Sequence, residues 1–116
     1  MATVKGQLGA VDVPGTGTLT LVYTVPVGKE ASVIVSVANR ADTITVLRVA
    51  HIKAGVLVDI ANKDYLLYDV STADFVSNLA PVRLRAIAMS AGDTIAVYST
   101  TSAVSAQVNG IEGDVP

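Results

Sequence analysis

The chain has 116 residues, enough for one domain with a real core, and carries 51% apolar against only 16% charged residues. Its formal net charge of −2 argues against nucleic acid and acidic membranes as partners. The lack of Cys excludes disulfides and thiolate metal sites, and the lack of Trp leaves little for a stacking platform.

A domain of this size cannot hide so much apolar surface within itself, so part of it is expected to be buried against other subunits. The first residues contain no apolar h-region, so no Sec-type signal peptide is expected. No apolar run approaches the ~18 residues that would span a bilayer.

Residues 1–17 are rich in Gly, Thr and Val and read as an extended arm ending in a turn at Pro14 and Gly15. Leu8, Val11 and Val13 are its main apolar groups and are expected at an assembly interface. The sandwich domain is expected to occupy 18–116. Alternation begins at Thr18, with Leu19, Leu21, Tyr23 and Val25 on one face and Thr20, Val22 and Thr24 on the other. Pro26 fixes φ and Gly28 accepts a positive φ, so 26–29 is a turn. The strand over 30–38 follows. Its second face, Ser32, Ile34, Ser36 and Ala38, is small and hardly polar, which predicts burial on both sides.

A further strand covers 43–52, with Leu47, Val49 and His51 on one face and Val46, Arg48 and Ala50 on the other. Residues 56–60 fit either a short strand or a helical turn. A turn at 62–64 leads to a strand over 65–70, and 71–78 reads as an exposed loop. After Pro81, Val82, Leu84, Ala86 and Ala88 alternate with Arg83, Arg85, Ile87 and Met89. The two arginines project from one strand face and are expected in an interface stripe. The turn at 90–93 precedes a strand over 94–99, and the last strand runs over 104–111. Residues 25–33 and 89–97 echo each other, each placing a turn glycine two residues before a strand. The whole predicts an all-β antiparallel β-sandwich or jelly roll of about eight short strands with an extended N-terminal arm.

No chemistry stands out. His51 is the single histidine and no Gly-x-Ser-x-Gly elbow accompanies it, so it is expected to be a packing or interface residue. Asp59, Asp64, Asp69 and Asp74 recur every five residues without a calcium-loop pattern, and Asp59 with Asn62 and Asp64 is the least unfavourable cation site. No enzyme activity, catalytic residue, metal or cofactor is expected.

Tyr23-Thr24-Val25-Pro26, Gly28-Lys29 and the strand ending Asn39-Arg40 resemble a segment of small structural proteins of tailed bacteriophages. So do the turn Met89-Ser90-Ala91-Gly92-Asp93 and the close from Val104 to Glu112. The resemblance implies a β-sandwich with a role in capsid decoration, tail or fibre. It implies a virion location, a homo-oligomer (a trimer by analogy with decoration proteins) and contact with other virion proteins such as the major capsid protein. The competing expectation is a glycan-binding module whose site is formed by 71–78 and 62–64.

Overall fold

The computed structural model describes residues 3–15, 19–40, 43–53, 65–72 and 82–115, with only the backbone described for Thr3, Arg85 and Ala86. Eight strands are present among the described residues: β1 (Thr3–Val13), β2 (Thr20–Thr24), β3 (Lys29–Asn39), β4 (Val46–Ile52), β5 (Tyr65–Ser71), β6 (Val82–Met89), β7 (Thr94–Ser99) and β8 (Val104–Asp114). The possible strand at 56–60, the turn at 62–64 and most of the loop at 71–78 lie outside the described residues.

The strands form two antiparallel four-stranded sheets, ordered β1-β8-β3-β6 and β2-β7-β4-β5. First pairs with last, second with seventh, third with sixth and fourth with fifth. This is one long hairpin of the whole chain, rolled up so that β3 also meets β8 and β4 also meets β7. The two-sheet wrap is a jelly roll, which decides between the two architectures expected from the sequence.

The core lies between the sheets and is mostly valine, a residue whose branched Cβ suits a pleated surface. Val33, Val35 and Val37 of β3 face Leu47 and Val49 of β4, Ile95 and Val97 of β7, and all are at most 1% exposed. β3 is indeed central in its sheet, but its burial alternates strictly. Ile34 is 40% exposed on the outer face, so the expected burial on both sides is corrected. A small second face can lie against water when nothing is layered over it.

Of the residues expected to form an arm, 3–13 lie in a sheet. Residues Thr3–Val13 are the edge strand of this chain's own first sheet, paired along their length with β8. The register slips between Gln7 and Gly9, a β-bulge at Leu8. Beyond it Gly9, Val11 and Val13 stand opposite the core residues Val108, Ala106 and Val104. Gly9 is there because a Cβ would stand 2.4 Å from the carbonyl oxygen of Val22. Gly9, read from the sequence as part of an extended arm, marks a tight crossing of β1 over β2.

Two further bulges shift the expected faces. In β2 the register slips between Leu21 and Tyr23, so Val22 and Tyr23 are both buried while Leu21 turns outward. In β6 two residues, Arg85 and Ala86, oppose Ile34, so Ile87 and Met89 join Val82 and Leu84 on the core side and Ala88 faces out.

The echoing turns meet. Pro26 O accepts from Lys29 N–H at 3.2 Å, and Ser90 O accepts from Asp93 N–H at 3.0 Å. Gly28 (φ 77) and Gly92 (φ 85) hold the third position of each turn, where a type II turn requires positive φ. The turns are cross-linked, because Val25 N–H donates to Asp93 O at 3.0 Å and Gly92 N–H to Val25 O at 2.9 Å. The C-terminal residues, patternless in sequence, are tied down beside them. Asp114 pairs with Lys29, and Val115 N–H donates to Gly28 O.

Candidate functional site

The residues expected at an interface do not come together. Val13 is 1% exposed, and Leu8 and Val11 are partly buried against the same core. These three pack against their own chain's core, beside and beyond the bulge at Leu8. Arg83 is exposed on the outer face of the first sheet, opposite Ser36. Arg85 lies in β6.

That outer face is the broadest feature of the first sheet. Across its middle run Ser32, Ile34, Ser36 and Ala38 of β3 beside Ser105, Gln107, Asn109 and Ile111 of β8. Among the described side chains, the charged ones on this face lie at its flanks and ends, at Asp12 with its partner Arg40, and at Arg83, Lys5 and Glu30. Two shallow depressions of about 570 and 550 Å³ lie on it, the first lined by Ile34, Ser36, Arg83 and Gln107, the second by Ser32, Ala88 and Ile111.

His51 ends on the core side of β4, as expected of a packed residue. Its Nε2 lies 2.9 Å from Oδ2 of Asp93, which is 2% exposed and also accepts the backbone N–H of Ser90 at 3.1 Å. The pair pins β4 to the turn before β7. At the other end of the sandwich, Thr45 N–H donates to the Thr72 hydroxyl at 3.0 Å, and Thr45 Oγ1 lies 3.3 Å from Thr100 Oγ1. These bonds satisfy polar groups that burial would otherwise leave costly.

The sequence reading missed a cluster on the outer side of the second sheet. Arg48 of β4 lies between two rings, its guanidinium carbon 4.3 Å from the Tyr68 centroid and 4.5 Å from that of Tyr98. Its Nε donates to Asp69 Oδ1 at 2.5 Å. Tyr65 and Tyr68 meet edge to face, centroids 4.8 Å apart at 79°. Chiefly the hydrogen bond to Asp69 raises the pKa of Arg48 further above its already high value, so it is a cation at every accessible pH. The members come from three different strands, β4, β5 and β7, so local spacing could not reveal them. The available signal was the break in alternation at Tyr68-Asp69.

Among the described residues no group of three His, Cys, Asp or Glu could hold a metal ion. Asp59, Asn62, Asp64 and Asp74 lie outside them. Neither a protein-family model, nor a curated protein, nor a solved structure matches the chain.

Proposed function

We propose that the protein is a non-enzymatic structural component of a tailed-bacteriophage virion, most simply an oligomeric capsid decoration protein seated on the major capsid protein. The reading starts from the sequence resemblance. The observation that carries it is the outer face of the first sheet, whose middle is free of charged side chains from Ser105 to Asn109 and from Ser32 to Ala38. Depletion of charge at the centre with a polar, charged rim is the composition of an interface core. Four strands about 4.8 Å apart and roughly eight residues long give a face of about 500 Å². Buried on both partners, that is about 1,000 Å², the lower end of specific interfaces. The low charged share, 16% of residues, fits a protein that works in an assembly.

The test is a micrograph of particles labelled with antibody against this protein, together with sedimentation of the free protein. Label in a regular array on the capsid, and an oligomer in solution, are the expected results. Label confined to the tail would move the protein to a tail-associated role, and a stable monomer that fails to bind particles would refute the assignment. Gln107→Lys places a charge at the middle of the face on an exposed side chain. It is expected to leave the melting temperature unchanged and to abolish particle binding.

A further inference from the structure

We propose that Tyr68 and Asp69, with Arg48 behind them, form a binding site for a neutral saccharide on the outer side of the second sheet. The site begins with a bulge. Leu47 pairs with Val70 and Val49 with Leu67, so Tyr68 and Asp69 together oppose the single residue Arg48. An extra residue of this kind re-aims side chains that alternation would send to opposite faces. Both side chains consequently reach Arg48, one through its ring and one through its carboxylate. Asp69 has φ 51, a left-handed conformation that residues with a Cβ rarely adopt. Such a conformation persists where its surroundings fix it, and it clusters at ligand sites.

The result is a ring held in one orientation yet open to solvent. Tyr68 is braced by the Arg48 cation over its ring and by an edge-to-face contact with Tyr65, and still it is 51% exposed. The Asp69 side chain beside it is 47% exposed. Groups already ordered before a ligand arrives lose little freedom on binding.

The chemistry selects the ligand. A pyranose has an apolar C–H face that lies flat on an aromatic ring, and hydroxyls at its rim that donate to a carboxylate. The Arg48 charge is already answered by Asp69, so an anionic ligand would meet a carboxylate and, in this described cluster, a cation that is already paired. A cationic ligand would compete with Arg48 for Asp69 and face a like charge. A proline-rich peptide also stacks on aromatic rings, but it needs an open groove between them. Here the guanidinium fills the space between Tyr68 and Tyr98. With one open ring among the described residues, the affinity for a single sugar is weak, with a Kd on the order of millimolar. Display of many copies on one particle would multiply it, and that gain alone rests on the proposed assembly.

The experiment follows backbone amide shifts of the isotope-labelled protein during titration with the methyl glycosides of glucose, galactose, mannose, N-acetylglucosamine and rhamnose. Each is taken to a concentration on the order of 50 mM, well above the expected Kd. Saturable shifts centred on Arg48, Tyr68 and Asp69 with at least one sugar are expected, weakened at least about tenfold in Tyr68→Ala. Asp69→Gly guards against a folding artefact: glycine accepts φ 51 without strain, so the melting temperature should hold while sugar binding weakens. The absence of saturable shifts with all five sugars would overturn the proposal. So would binding that survives both substitutions, or shifts at these residues with a proline-rich peptide and none with sugars.

Discussion

Gly28 has φ 77 and open space where a side chain would begin. Replacing it by Val therefore has a conformational cost alone, about 1–3 kcal/mol for a branched residue in the left-handed region. Gly28→Val should lower the thermal midpoint by several degrees, and an unchanged melt would mean the turn relaxes without loss. Tyr23 gives a second prediction. Its hydroxyl donates to Glu112 at 2.5 Å, and burial first, then that bond and the carboxylate's charge, hold its pKa well above the ordinary 10. The folded state thus keeps a proton that the unfolded chain releases near pH 10. This contribution to stability is complete below that pH and is lost as pH rises above it. Urea denaturation between about pH 9 and 11 should show stability falling more steeply in the parent than in Tyr23→Phe. Equal slopes in the two proteins would exclude Tyr23 as the source.

At the scale of one strand, β3 distinguishes its two faces. Val33→Asp puts a carboxylate without a partner between the sheets, and such burial abolishes folding. Ile34→Asp points to the outer face and should fold, with a change within about 1 kcal/mol by urea titration. Both unfolding would mean that the outer face of the first sheet is covered in solution. β1 makes a different prediction. Deleting residues 3–13 removes Val13 from the core and bares the edge of β8. The truncated protein should lose cooperative unfolding or aggregate, whereas a detachable arm would leave its circular dichroism melt intact. The central strands were legible in the sequence because Val33, Val35 and Val37, or Ile95 and Val97, alternate without interruption. β1 was not, because Gly6 and Gly9 occupy positions where an alternating pattern needs apolar side chains. The faces of β2 and β6 were misread for one common reason. A bulge adds a residue without leaving a mark in composition, and a slip of one inverts every side chain beyond it.

For the whole molecule, the sum of these strands fixes the class but not the wrap. Even spacing of strands indicated a sandwich; the order β1-β8-β3-β6 against β2-β7-β4-β5 depends on pairings between residues as much as a hundred positions apart. The tyrosine cluster was hidden for the same reason. Arg48, Tyr68 and Tyr98 become neighbours only when β4 lies between β5 and β7. By contrast, the two echoing turns were visible in sequence because each is a four-residue device with its own glycine. Their contact with each other was not, since it depends on β2 lying beside β7.

The pairing of Thr3 with Gly113 places the beginning and end of this described chain side by side in adjacent strands. Topologically the described strands form a ring with a nick in it, and the position of the nick is a free choice. A short Gly-Ser tether joining the two ends, with a new opening between Ile52 and Tyr65, would cut the rolled hairpin at its tip and close it at its base. Every strand pair would survive the rearrangement, only the order of synthesis being changed. Such a circular permutant should keep the parent's far-UV circular dichroism and melt in one cooperative transition. A permutant that fails to fold would show that the continuity of β4 and β5 through the intervening residues, and not the set of pairings, holds the roll together.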